Sequence, residues 1–123
     1  MKIAEVSERY GISTDTLRYY ERIGLIPPVN RSDGRIREYG EKDLGWVDFI
    51  KCMRNAGLPV EVLIEYVGLV QKGDQTIAAR EEILLLQREL LVAKMQEMQK
   101  TLDILDYKIR VYKETILNLE RAL

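Results

Sequence analysis

Residues 13–26 read Ser13-Thr14-Asp15-Thr16-Leu17-Arg18-Tyr19-Tyr20-Glu21-Arg22-Ile23-Gly24-Leu25-Ile26, and this stretch decides how the first half of the chain folds. Ser13 stands where a helix N-cap would, its hydroxyl placed to accept a first-turn backbone N–H. From Thr14 to Ile23 the residues Leu17, Tyr20 and Ile23 fall on one side of a helix, and Gly24 is suited to the left-handed residue that follows a helix end. Upstream, Ile3, Val6 and Tyr10 keep helical spacing over residues 2–10 until Gly11 interrupts. Helix, glycine-containing turn, helix is the helix-turn-helix pattern. In that unit the second helix enters the major groove of DNA, and it would present Ser13, Thr14, Asp15, Thr16, Arg18 and Tyr19. Arginine grips phosphate or reads guanine with two hydrogen bonds, and hydroxyls serve either purpose. Two short helices joined by a glycine turn are also a common packing unit, so the pair alone leaves both readings open.

The segment that follows adds weight to the first. Pro27 and Pro28 end any helix, and Ser32, Asp33 and Gly34 form a turn cluster. Val29 and Asn30 are expected to pair with Ile36 and Arg37 as a short hairpin, a wing beside the helix-turn-helix. Arg35 and Arg37 on that hairpin, with Tyr39 just after, suit a phosphate clamp, although an arginine-rich hairpin on its own is more often a solvated loop. Total charge does not mark a nucleic-acid binder: the chain carries a formal net charge of −1, and residues 1–58 hold 10 Lys and Arg against 9 Asp and Glu. Distribution matters more than the sum. Arg18, Arg22, Arg31, Arg35 and Arg37 crowd into one short stretch, opposed only by Asp15, Glu21 and Asp33.

A third helix is expected over about 41–56, with Trp46, Phe49, Ile50 and Met53 on one face, and Gly57 ends it. Pro59 suits the first turn of a fourth helix, which buries Val60, Leu63, Ile64 and Val67 before the break at Gly73 and Asp74. All 8 glycines and all 3 prolines precede Thr76. The expected organisation is therefore a mainly α chain with a winged helix-turn-helix DNA-binding domain and two following helices over 1–75, then one dimerisation helix over 76–123. Along that helix Leu91, Met95, Met98, Leu102, Leu105, Ile109, Tyr112, Ile116, Leu119 and Leu123 alternate spacings of four and three, which is a heptad seam. Upstream the seam fails at Glu81 and Arg88, and Ile83 to Leu86, Leu90 and Val92 give a broader apolar surface for more than one neighbour, the head of a partner chain among them. A helix of this length reaches on the order of 70 Å, too far for so small a head to cover. The simplest partner is a second copy of the chain.

The run Thr16 to Ile26 resembles the MerR family of bacterial transcription regulators, as do Ile36-Arg37-Glu38-Tyr39, Asp43-Leu44, Phe49-Ile50, Arg54 and Gly57-Leu58. The resemblance spans residues 1–70, with a dimerisation helix where the family has one. It implies a winged-helix homodimer joined by an antiparallel coiled coil. Such a dimer binds a palindromic operator between promoter elements spaced too far apart, and its activated form bends and untwists that DNA for RNA polymerase. Carried over by position, Arg18 and Tyr19 contact DNA from the recognition helix and Arg37 and Tyr39 contact backbone from the wing, with Ser13, Thr14 and Thr16 as weaker candidates. Many members have glycine where this chain has Arg35, with Gly34 one place earlier, so the wing turn is expected to differ in register.

The signal is a separate matter. Metal-sensing relatives use cysteines around the dimer helix, whereas residues 76–123 contain neither Cys nor His, so no thiolate or imidazole metal site is expected, and no cofactor. Drug-sensing relatives carry an added C-terminal ligand domain, which this sequence does not show. Cys52 is the chain's one cysteine. Its surroundings, Asp48 and Ala56 along the helix and Lys51 and Arg54 beside it, fit a small half-buried hydrophobe at the flank of the third helix's apolar face. The run Phe49-Ile50-Lys51-Cys52-Met53-Arg54 nevertheless resembles a thiol-dependent subgroup that responds to aldehydes and other electrophiles, which implies a sensing thiol. Met95 and Met98 read as packing residues of the seam.

Other classes fare worse. A coiled-coil adaptor whose head binds protein is opposed by Arg18, Arg37 and Tyr39. An enzyme lacks its chemistry here: with no His and one Cys, no nucleophile with an activator and no acid–base pair can be assembled. Lys2, Glu5 and Glu8 do not fit a signal peptide, and no apolar run approaches the roughly 20 residues that span a bilayer, so a cytoplasmic protein without membrane contact is expected.

Overall fold

A computed structural model of the chain describes residues 1–122; Leu123, the last position of the expected seam, lies outside the described residues. The elements run α1 (Ile3–Tyr10), α2 (Thr14–Ile23), β1 (Arg31–Ser32), β2 (Ile36–Arg37), α3 (Glu41–Asn55), α4 (Val60–Lys72), a 3₁₀ turn (Asp74–Thr76) and α5 (Ile77–Ala122). The fold is mainly helical, with one two-stranded antiparallel hairpin and a long C-terminal helix.

Three helix ends share one device. After α2, Gly24 takes φ 84°, its N–H reaches Glu21 O, and Leu25 N–H bonds back to Tyr20 O at 2.8 Å. This is the Schellman arrangement, in which the residue after the glycine turns inward against the helix just finished. Ile12 N–H to Ser7 O after α1, and Leu58 N–H to Met53 O after α3, repeat it. Ile12, Leu25 and Leu58 are all buried as a result.

The core of the head therefore draws on connections as much as on helices. Val6, Leu17, Val47, Ile50 and Leu63 come from α1 to α4, and Leu25, Ile26, Val29 and Tyr39 come from the segments between. On α3 the centre of the buried face is Val47 and Ile50, not Trp46 and Phe49. Those two rings sit on its outer flank, where they form an edge-on pair 6.0 Å apart and both meet Tyr66 of α4. Bulky aromatics do best where one side is apolar and the other wet.

The hairpin forms two residues later than its sequence pattern indicated. Arg31 pairs with Arg37 and Ser32 with Ile36, whereas Val29 and Asn30 precede the first strand. Two forces set this register. Asp33 and Gly34 both have positive φ, and Arg35 N–H reaches Ser32 O at 3.2 Å, a two-residue turn whose twist matches the strands it joins. Val29, meanwhile, is drawn into the core and its N–H is taken by the Glu21 carboxylate at 3.0 Å.

Between α4 and α5, the Thr76 hydroxyl lies 2.7 Å from both Leu69 O and Gly73 O, answering carbonyls that the end of α4 leaves open. The chain divides into two compact units, Met1–Leu85 and Leu86–Leu123. As far as Ala122 the second is a single helix. Leu91 is partly buried, and Met95, Met98, Leu102, Leu105, Ile109, Tyr112, Ile116 and Leu119 are exposed along it. No helix among the described residues is long and apolar enough to cross a membrane.

Candidate nucleic-acid interface

Helix α2 begins with a working cap: Ser13 Oγ accepts from Thr16 N–H at 3.1 Å and its own hydroxyl lies 2.8 Å from Thr16 Oγ1. Ser13 is exposed, and Thr14 and Thr16 are half-buried at the entry of the helix. One turn on, Arg18 is exposed and leans on Asp15 at 3.1 Å, an i,i+3 surface pair that is cheap to break when a better anion arrives. Tyr19 is also exposed, with the Arg22 guanidinium 5.5 Å from its ring centre. Arg18 and Tyr19 thus lie on the open face of α2, while Leu17 closes the opposite side.

On the wing, Arg35 is exposed at the turn, and its carbonyl accepts from Arg31 Nη1 at 3.2 Å. Arg37 is half-buried. Its Nε donates to Glu21 Oε1 at 2.6 Å, so wing and recognition helix are tied through one guanidinium. Burial by itself would raise the Glu21 carboxyl; the hydrogen bonds from Arg37 and Val29 and the charges of Arg37 and Arg31 outweigh it and hold the group below the usual carboxylate range.

Tyr39 departs from expectation. It is 2 % exposed, its hydroxyl has no hydrogen-bond partner among the described residues, and burial pushes its phenol pKa up. Its backbone explains the position: Tyr39 N–H bonds to Met1 O at 2.8 Å and the Met1 amino group to Tyr39 O at 3.0 Å, pinning the exit of the wing onto the start of the chain. Tyr39 supports the wing from beneath and does not stand on its surface.

Arg18, Glu21, Arg22, Pro28, Arg31 and Arg37 line one open cavity of about 420 Å³ between α2 and the wing. Sequence reasoning placed Arg18 and Arg37 in the site but left out Arg22, Arg31 and Glu21. The five-arginine cluster was the signal for the first two. Nothing in the sequence says that Glu21 lies under the wing.

Cys52 is exposed on α3, which corrects the expectation of a half-buried side chain. The positions around it are tethered: Lys51 Nζ donates to Tyr10 O at the end of α1, and Arg54 Nη1 donates to Leu58 O at 2.7 Å. Phe49 lies one turn before Cys52, so the two are neighbours on the helix surface.

Four guanidiniums around one cavity, beside a capped helix with an open face, can hold the sugar–phosphate backbone while the helix enters a groove. This is the chemistry of a winged helix-turn-helix DNA-binding regulator. The pattern of the MerR HTH family of regulatory proteins matches residues 1–68, and that described as MerR, DNA binding, matches residues 44–107. The chain belongs to the MerR family, and as such is a DNA-binding transcription regulator and not an enzyme.

Individual relatives agree. The HTH-type transcriptional regulator AdhR of Bacillus subtilis is 55 % identical over 92 residues, covering 75 % of this chain; the chain spans 66 % of that protein's length. Heavy metal-dependent transcription regulator 2 of Rhizobium meliloti is 36 % identical, over 83 % of this chain and 71 % of its own. Among solved structures, a MerR family transcriptional regulator from Listeria monocytogenes superposes with TM-score 0.95 at 45 % identity, covering 100 % of this chain and 93 % of that one. HiNmlR, a MerR family regulator lacking the sensor domain and bound to promoter DNA, superposes with TM-score 0.83 at 31 % identity, over 92 % and 90 %.

Proposed function

We propose that two copies of this chain, joined in antiparallel through the α5 seam, bind a palindromic operator in the cytoplasm and activate transcription when an aldehyde or related electrophile modifies Cys52. The switched form bends and untwists the promoter so that RNA polymerase, reached only through the DNA, can use it. Ser13, Thr14, Thr16, Arg18 and Tyr19 of α2 and Arg35 and Arg37 of the wing meet the DNA. Leu91 to Leu119 supply the described part of the dimer seam.

The observation that carries the sensing step is the exposure of Cys52, the chain's one thiol, next to Phe49. An adduct there enlarges α3 beside the Trp46–Phe49–Tyr66 cluster, and packed clusters answer such changes by discrete repacking. The same helix is anchored to the helix-turn-helix by Lys51, so a shift of α3 has a path to the recognition helix. A metal signal, as the name of the Rhizobium relative describes for that protein, finds too few soft donors here: the chain has no histidine and a single cysteine.

A second reading has one observation in its favour. Lys42, Gly45, Trp46, Phe49 and Tyr66 line an open cavity of about 290 Å³, room for a small apolar ligand bound without covalent chemistry.

Intact mass after brief exposure to formaldehyde or methylglyoxal near neutral pH separates the two. The expected result is an adduct on the wild type and none on Cys52→Ala, with induced transcription lost in the variant and DNA affinity retained. If no adduct depends on Cys52, the thiol returns to a surface role and the aromatic cavity is left as the sensor.

A further inference from the structure

Glu21 is an acidic side chain in the middle of an arginine-rich face. It lines the arginine cavity and its side chain is only 13 % exposed. Both of its oxygens are committed. Oε1 accepts from Arg37 Nε on β2, and Oε2 accepts from Val29 N–H at the entry to the hairpin. One carboxylate on the recognition helix thus holds both ends of the wing. Arg37 also lies directly across the ladder from Arg31, an arrangement of like charges that costs stability unless an anion stands between them. Holding Arg37 by Nε leaves its two terminal nitrogens, which make no hydrogen bond among the described residues, for an incoming phosphate.

Resting on the DNA-binding reading, we propose that Glu21 is the positioning residue of the interface: it sets the wing against the recognition helix and aims Arg37, so that a negative charge on the DNA face strengthens DNA binding. The sign makes this testable, because charge alone says the reverse. Removing an anion from a DNA-binding face should tighten binding.

The probe is a DNA duplex selected from a random pool by the wild-type chain, with affinity measured across salt concentrations. In Glu21→Gln the amide accepts from Arg37 or from Val29 but presents N–H to the other, so one tie is lost. Affinity should then fall about tenfold per head near 0.1 M salt, and the salt slope should fall by about one per head, as for the loss of one phosphate contact. Glu21→Asp, which keeps the charge on a shorter stem, should recover part of the loss. Arg37→Lys keeps the positive charge but not the fork that serves carboxylate and phosphate together, and should weaken binding similarly. Adding Glu21→Gln to Arg37→Lys should then cost little more.

Tighter binding by Glu21→Gln, or unchanged affinity and slope, overturns the proposal. If that variant fails to fold, Arg37→Lys decides: affinity equal to wild type overturns it as well. A wild-type chain that retains no duplex in a salt-dependent way overturns the DNA-binding reading itself, and the two failures are thereby distinct.

Discussion

In the head, Leu17 and Val47 have no exposed surface, whereas along the distal helix Met98 is 73 % and Tyr112 69 % exposed. Both regions are rich in apolar residues at helical spacing, and they differ in where the complementary surface comes from. The head finds it within its own chain, by folding the connections Leu25-Ile26, Val29 and Tyr39 onto α1 to α4. The helix beyond Leu86 has only one face of a cylinder to work with, and a cylinder cannot cover itself. A periodic apolar row on a polar helix is thus a statement about a partner, while a core closed by loop residues is a statement about one chain.

Three experiments probe this contrast, in descending order of effect. Leu105→Asp places a charge on the exposed row in both copies of the proposed dimer, at a cost of several kcal/mol for each buried, unpaired carboxylate. Sedimentation should show monomers with an intact head; a dimer of unchanged affinity would place the interface elsewhere. Leu17→Ala empties a fully buried position of the head and should lower its stability by about 2–5 kcal/mol. If the regions are independent, the head should melt early while sedimentation below that transition still reports the dimer. A single transition shared by both would mean that association and head folding are one event.

The smallest effect concerns acid. Glu21 titrates below its ordinary value of 4.5 in the folded head. A carboxylate with a depressed pKa contributes stability above its unfolded pKa and loses it as pH falls through the folded one. The head should therefore weaken progressively below about pH 4.5, and Glu21→Gln should flatten that part of the profile relative to wild type. An identical acid limb in the variant would mean that other carboxylates, such as Glu38 with its Lys2 and Met1 partners, govern it.

The helices of the head were legible because each apolar stripe is interrupted by a glycine, at Gly11, Gly24, Gly57 and Gly73. The exposure of Arg18 and Tyr19 was legible because they fall away from Leu17 on a helix whose bounds were clear. Tyr39 was misplaced: a tyrosine beside arginines reads as a surface clamp, and only the backbone bonds to Met1 show that it turns inward. The wing register was missed by two residues because Val29 and Ile36 look alike as strand residues. The pattern of Trp46, Phe49 and Met53 puts Cys52 half-buried at the edge of the third helix's apolar face, but Val47 and Ile50 form its inner line and leave the thiol exposed.

Periodicity, capping residues and the order of glycines and prolines are local properties, and they suffice to determine five helices, the last carrying a heptad row, a hairpin, and a run of arginines beside the second helix. The tie from Glu21 to Arg37 and Val29 joins positions far apart in sequence through a single carboxylate. So does the burial of Tyr39 against the start of the chain. Such contacts depend on which surfaces are left to cover once the helices have packed, and that is decided in three dimensions.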